Sequence, residues 1–325
     1  MRNRACLVLW VLTASSAAFG QEAAAGATGT TTGLGPMMVP HGGIGDTFAA
    51  PNGQLGAGLS ISRAEGFRMY GELGFYSYGD SSSFGDIEFS QRIWSFSAIV
   101  GGGVKIQPNL EIEAMLPLAF YDFTVTVEGP DDEESDGESG FGVGNLHLGI
   151  NYLRAQGPLR MKIGGAVQYG LWTIDPSDDM LGALVFGALA RGGQDIFLWA
   201  PETLSVVTPS RIEYGGQVVF SGDGALGLHV PTDGGDVEAS IQLAPGFGYY
   251  ASPTVLVGAR LPFAWYPTES GSDATFLAFE PYGRFDVSES AFLNARFTLN
   301  IDEPLGFSFD EGRIWALHFG GGGTF

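Results

Sequence analysis

The feature that most constrains this chain is a period of two. Segments of about ten residues alternate apolar and polar side chains and recur to the end of the sequence. From Ala291 to Ile301 one face holds Ala291, Leu293, Ala295, Phe297, Leu299 and Ile301; the other holds Phe292, Asn294, Arg296, Thr298 and Asn300. From Phe276 to Val287 the apolar set is Leu277, Phe279, Pro281, Gly283, Phe285 and Val287, against Glu280, Tyr282, Arg284 and Asp286. Val255 to Trp265, Val237 to Tyr249, Leu159 to Leu171, Leu146 to Tyr152 and Leu110 to Phe120 repeat the pattern. Such alternation is the signature of strands with two unlike faces. After Gln21 no apolar run reaches the roughly 20 residues of a membrane helix. The best candidate, Met180 to Ala190 (MLGALVFGALA), is far too short.

A soluble β-sandwich alternates as well, with its apolar face in a shared core. Here the apolar faces are many, the polar faces carry Gly and isolated charges of both signs, and the chain stops inside a strongly alternating strand. These features predict an all-β protein: a single closed antiparallel transmembrane β-barrel of about 14 strands, with 12 to 16 open. Closure lets a sheet satisfy all its backbone groups within lipid. Composition points the same way. Charged residues are 16%, Gly numbers 51 and aromatics are 13%, whereas a soluble domain carries about 25% charged residues.

Connections alternate between short and long. Gln107-Pro108-Asn109, Ala155-Gln156-Gly157, Ala251-Ser252-Pro253 and Val287-Ser288-Glu289 read as tight turns. Glu128 to Gly142, Pro267 to Asp273 and Asp302 to Gly312 read as longer acidic links. Outer-membrane barrels place short turns in the periplasm and long loops outside. Strand directions agree along the chain if one crossing lies within Ile196 to Thr208. Whether Phe84 to Trp94 crosses is left open by its pattern. Pro117 and Pro262, in the paired segments Leu-Pro-Leu-Ala-Phe-Tyr (116–121) and Leu-Pro-Phe-Ala-Trp-Tyr (261–266), face the lumen. Each removes a ladder donor, which favours a bend.

Residues 1–20 form an expected signal peptide. Arg2 and Arg4 precede the short apolar core Cys6–Leu12, and Ala18-Phe19-Gly20 offers small residues for cleavage before Gln21. Cys6, the only cysteine, leaves with it, so the mature chain holds no thiol or disulfide. Residues 21–53, rich in Gly, Ala and Thr, read as a periplasmic linker or a lumen plug, and 54–325 as the barrel. Net charge is −21 at pH 7; losing two arginines makes it −23. So acidic a chain excludes nucleic acid as a partner and a polybasic membrane-surface mode.

The chain ends Arg-Ile-Trp-Ala-Leu-His-Phe-Gly-Gly-Gly-Gly-Thr-Phe, with Trp315, Leu317, Phe319, Gly321, Gly323 and Phe325 on one face. Over about its last dozen residues this resembles the C-terminal assembly signal of bacterial outer-membrane β-barrels. The Gly-rich strands and hairpin rhythm look like transporter barrels of that membrane in general. The resemblance implies the barrel-assembly machinery as a partner during biogenesis, with Phe325 as terminal anchor, and an outer-membrane location among lipids and lipopolysaccharide.

The inward phase defines candidate site residues. Glu111, Glu113, Arg160, Lys162, Arg260, Glu280, Arg284 and Arg296 face the lumen, as do Glu213 and Glu238. If Ser288 centres the last tight turn, Glu280 lies opposite Arg296. A structural ladder is one reading of these charges; a field that selects solutes is the other. Trp172, Trp265, Tyr266, Phe120, Tyr121 and Trp315 fall near the outer rim, and Tyr249, Tyr250, Phe285 and Phe325 near the inner one, where amphipathic rings settle.

Asp132, Glu134 and Asp136 follow the first positions of a calcium loop, but Val143 stands where a bidentate Glu is needed. No metal site or cofactor is therefore expected. His147, His229 and His318 face the lumen without the spacing of a hydrolase motif, so no catalytic residues are assigned. Barrels of about 8 strands fill with side chains and those of 16–18 hold a water channel. About 14 strands predict room for a solute of unknown identity, hence a passive channel or transporter. A structural or surface-displaying barrel and an outer-membrane hydrolase are the alternatives.

Overall fold

The computed structural model describes residues 67–84, 87–128, 133–156, 158–170, 178–189, 196–232, 234–267, 275–288, 291–301 and 315–324. The expected signal peptide, the 21–53 segment, Trp172, the 302–312 link and Phe325 lie outside them.

Among the described residues, fourteen antiparallel strands form one sheet. They are β1 (Phe67–Phe84), β2 (Ile87–Gln107), β3 (Leu110–Glu128), β4 (Glu133–Val143), β5 (Leu146–Gln156), β6 (Leu159–Tyr169) and β7 (Thr203–Gly215). There follow β8 (Val218–Pro231), β9 (Glu238–Ser252), β10 (Val255–Arg260), β11 (Phe263–Trp265), β12 (Thr275–Asp286), β13 (Ala291–Asn300) and β14 (Trp315–Thr324). Sequence neighbours pair in turn, and β14 pairs with β1, so the sheet closes. β4 and β5 both pair with β3, and β10 and β11 both pair with β9 and β12. Each couple is one stave with a break in it, so the barrel has 12 staves.

Both breaks face a proline. Gly144 and Asn145 separate β4 from β5 beside Pro117 of β3, and Gly144 N donates to Pro117 O (2.9 Å). Leu261 and Pro262 separate β10 from β11 beside Pro245 of β9, and Leu261 N donates to Pro245 O (2.9 Å). A proline has no amide proton for the ladder, so pairing restarts beyond it.

The period of two became two environments. Outside lie exposed apolar side chains such as Ile112, Ile150, Val206, Leu243, Val257 and Leu293. Aromatic rings cluster towards both ends of this belt: Phe67, Tyr214, Phe220, Tyr249 and Phe285 near the tight turns, and Phe75, Trp94, Phe141 and Trp265 towards the other end. A surface this apolar is stable against acyl chains and not against water. Tyr250 and Tyr266 differ from the rim position read in the sequence, while Tyr121 keeps the inward phase it shares with Glu111 and Glu113. Tyr121, Tyr250 and Tyr266 all point inward and are 2%, 5% and 4% exposed.

One connection departs from the sequence reading, and two others take definite form. The acidic stretch 133–143 is strand β4 paired with β3, not loop. Above the bilayer both faces of a strand are wet, so no alternation betrays it. Phe84 to Trp94 contains the tip of the β1–β2 hairpin and is no separate crossing. The crossing placed within Ile196–Thr208 is β7, which begins at Thr203. Before it lie two helices, α1 (Asp178–Leu189) and α2 (Ile196–Trp199). No helix among the described residues is long and apolar enough to cross a membrane.

Candidate functional site: the inner wall

The helices sit inside the barrel. After Asp178-Asp179, α1 carries no charged or polar side chain, and a helix of that kind needs cover. It finds cover on the inward face of β1–β3. Met180, Ala183, Leu184 and Ala188, with Leu198 and Trp199 of α2, pack on Tyr70, Ile99, Met115, Ala119 and Tyr121. Glycines allow the approach. A Cβ on Gly187 would meet Ala119 Cβ at 2.7 Å, and one on Gly142 would meet Ala183 Cβ at 3.1 Å. The wall break fastens the far end: Asn145 N donates to Leu198 O (2.7 Å) and Asn145 Nδ2 donates to Ala200 O (2.9 Å). The break thus supplies donors to the inner segment that an intact ladder would have used.

Apart from a small apolar patch of Val219, Tyr250, Leu256 and Tyr282 on β8, β9, β10 and β12, the rest of the inner wall is mainly ionic or hydrogen-bonding. One run alternates in sign from β1 to β7. Arg296 Nε donates to Glu72 Oε2 (3.1 Å) and Arg296 Nη1 to Glu280 Oε2 (2.8 Å). Glu280 also accepts from Arg260 Nε (2.5 Å) and Thr298 Oγ1 (2.7 Å). Arg260 Nη1 lies 3.4 Å from Asp223 Oδ2. Asp223 Oδ1 accepts from Arg211 Nη1 (2.9 Å), whose Nε donates to Glu213 Oε1 (2.8 Å). A second run joins β1, β3, β5 and β6. Arg68 Nη2 donates to Glu111 Oε1 (2.7 Å), Lys162 Nζ donates to both oxygens of Glu113 (3.1 and 3.0 Å), and His147 Nε2 stands 3.5 Å from Glu113 Oε1. Arg160 pairs in register with Glu213, and Lys162 with Arg211, so the two runs meet on β6 and β7.

The result is a belt of charge with members on every stave except β2, the β4–β5 stave, β9 and β14. Each of these has glycine beneath or beside the belt. A Cβ on Gly103 of β2 would meet Glu111 Cδ at 3.0 Å and Arg68 Nη2 at 3.2 Å. One on Gly246 of β9 would meet Arg260 Cβ at 2.7 Å. Gly320 of β14 is the register partner of Glu72. Where the second run crosses β5, Gly149 lies beneath: its Cβ would meet Glu113 Cγ at 3.2 Å. Long side chains reach across these strands because nothing stands up between them.

Of the residues picked from sequence, Glu111, Glu113, Lys162, Arg260, Glu280 and Arg296 belong to the belt and are at most 2% exposed. Arg160 is half-buried beside it. Arg284 stands nearer the tight turns, where its Nε donates to Asp286 Oδ1 (2.5 Å) and its guanidinium lies 4.5 Å from the Phe292 ring centre. The register differs from that expected around Ser288. Ser288 N and Val287 N both donate to Ala291 O, so the turn is longer, and Tyr282 rather than Glu280 stands opposite Arg296. The Glu280–Arg296 pair forms diagonally instead.

Arg68, Glu72, Arg211 and Asp223 escaped the sequence reading. Their signal is the same phase: Arg68, Tyr70 and Glu72 alternate with Met69 and Leu73, and Arg211 and Glu213 with Ile212 and Tyr214. Glu134 and Asp136 of the acidic stretch are exposed on β4, and Asp136 Oδ1 accepts from Gly137 N. Asp132 lies outside the described residues. His229 is held between hydroxyls, with Nδ1 2.8 Å from Ser205 Oγ and Nε2 2.8 Å from Ser240 Oγ.

No family model matches the sequence, and no curated protein matches it. Solved structures do. An outer-membrane channel from Pseudomonas putida F1 aligns with a TM-score of 0.52 at 12% identity, covering 81% of this chain and 96% of that one. The monoaromatic hydrocarbon channel CymD gives 0.43 at 10% identity, covering 90% and 98%. The translocator domain of the autotransporter NalP from Neisseria meningitidis gives 0.38 at 12% identity, covering 81% and 89%. At such identities the first likeness is one of fold, and the other two are more distant. With its closed antiparallel sheet, apolar outside and ionic inside, this chain has the fold of a bacterial outer-membrane β-barrel.

Proposed function

We propose that this chain is a passive channel for small solutes across the outer membrane. The observation that carries the reading is the inner wall: charged and hydrogen-bonding side chains extend along it, within a sheet whose outside is apolar. Such side chains are the means by which pores handle hydrated solutes. Purified protein in planar bilayers is expected to give stepwise conductance; a silent membrane, with the protein shown to be folded and inserted, would refute the channel.

A second reading, a structural or surface-displaying barrel without flux, is favoured by one specific observation. The α1–α2 segment packs on the inner wall, and the belt is buried. The same recording separates the two readings. Catalysis has no part in either.

The remaining assignments belong to this reading. Residues 1–20 direct export and are removed, residues 21–53 link or plug, and residues 54–325 make up the barrel. Trp315, Leu317, Phe319 and Phe325 present the assembly signal to the barrel-assembly machinery. Lipopolysaccharide meets the acidic outer end.

A further inference from the structure

β4 rises above its neighbour on one side. β6 stops at Tyr169, level with Leu146 at the top of β5. The next described element, α1, lies inside the barrel, with Ala183 close to Gly142. Among the described residues β4 therefore pairs with β3 alone, and its other edge is bare. Glu134 to Ser139 are exposed throughout.

The phase of that edge follows from one hydrogen bond. Gly144 N donates to Pro117 O (2.9 Å), in continuation of the β3–β4 register. Counted from Gly144, every second residue of β4 turns its N–H and C=O to β3, and those between turn theirs outward. Ser135, Gly137 and Ser139 are outward residues of this kind. The N–H of Gly137 donates to Oδ1 of Asp136 beside it (2.9 Å), in the place a neighbouring strand would fill. Glu134, Asp136 and Glu138 alternate with them, opposite Val127, Val125 and Phe123. Their side chains share the face of Tyr121, whose Oη donates to Glu138 Oε1 (2.6 Å).

A row of open backbone donors and acceptors is a template for one more strand. The acids decide which strand. In an added antiparallel strand, the residues opposite Glu134, Asp136 and Glu138 take the non-hydrogen-bonded positions, where Cα atoms approach to about 4.5 Å. Acids there are repelled and bases attracted. A second copy of this chain offers no such strand. Its β4 edge is acidic, and Ser77 to Phe84 of β1, which rise beyond β14, carry Asp80 and no base.

We propose that the β4 edge binds an extended peptide with Lys or Arg at every second position, added as a fifth strand beside β1–β4. The edge lies beyond the bilayer and works whether or not solutes pass through the lumen.

Three capped peptides of equal length test it. One alternates Lys and Thr, one has the same composition as a block of Lys followed by a block of Thr, and one alternates Glu and Thr. Binding of fluorescent forms to the full-length mature protein in phosphatidylcholine nanodiscs is followed by anisotropy at about 0.15 M salt, with empty nanodiscs as background. The alternating Lys peptide is expected to bind severalfold more tightly than its block isomer, and the Glu peptide not at all. Ser135→Pro removes an outward N–H and leaves the β3 ladder whole. It is expected to weaken the alternating Lys peptide severalfold while the folded band on gels is unchanged. Should that variant fail to fold, Glu134→Gln combined with Asp136→Asn is expected to weaken the alternating peptide more than the block isomer. Equal binding of the alternating and block peptides would reduce the attraction to charge alone and overturn the inference. So would no binding of the alternating peptide, or a folded Ser135→Pro protein that binds it as the parent does.

Discussion

The inner wall presents two unlike surfaces built from the same strand phase. On β1–β3, beneath α1 and α2, the inward residues are Tyr70, Ile99, Met115, Ala119 and Tyr121. From β7 to β13 they are Arg211, Asp223, Arg260, Glu280 and Arg296. The first surface is apolar because protein covers it; the second is ionic because charges cover one another. Alternation alone therefore says which residues point inward and nothing about what they meet. β1 belongs to both surfaces: Tyr70 lies under the helices, while Arg68 and Glu72, two residues away on either side, hold the two ion-pair runs.

The contrast can be tested by damaging each surface in turn. Glu280→Ala takes a shared acceptor from Arg260, Arg296 and Thr298 at once. Breaking a buried pair from one side costs about 3–5 kcal/mol, so the temperature at which the folded band disappears on gels should fall sharply; an unchanged temperature would show that the belt does not hold the barrel. Leu198→Ala, at a side chain 0% exposed, should loosen the inner segment by about 2–3 kcal/mol. It should raise bilayer conductance while leaving the melting of the staves nearly alone, and equal loss of both would mean that helices and wall are one unit.

Gly246→Val forces a side chain against Arg260, and overpacking of this kind costs about 1–3 kcal/mol; a stability equal to the parent would deny that the belt needs a clear path over β9. The smallest effect is assigned to Gly165→Ala. Nothing lies within 4 Å of its Cβ, so the change should be neutral or stabilising by about 0.5 kcal/mol. A large loss there would mean that strand glycines matter for reasons other than room.

The barrel and much of the belt were legible because lipid outside and charge inside impose a period of two on the sequence, as at Arg260, Glu280 and Arg296. The inner helices were not. Met180 to Ala190 is too short to span a membrane, and its destination is written elsewhere. Ile99, Met115 and Ala119 are apolar at inward positions where other staves carry charge, which is the trace of a partner inside. The Glu280 register was misplaced because a turn centred on Ser288 and one extending to Ala291 fit the same residues, and hydrogen bonds decide between them. The β4 strand was hidden for a different reason. Its run Glu134–Ser139 is exposed, so no apolar face marks it, and only pairing with Val125 and Val127 of β3 reveals it.

The staves are also unequal in height. β2 has 21 residues and β3 has 19, while β13 and β14 have 10 each. About ten residues suffice to traverse the acyl region, so β1–β4 rise past the bilayer on one flank, directly beside the short β13 and β14. The part of β1–β4 beyond the bilayer is held by its own strand pairing, from Gly79 opposite Arg92 to Phe84 opposite Ile87 and from Thr124 opposite Gly137 to Glu128 opposite Glu133, and needs no lipid to keep its shape. The acidic face of β4 is thus carried into the medium on a paired strand instead of a free loop.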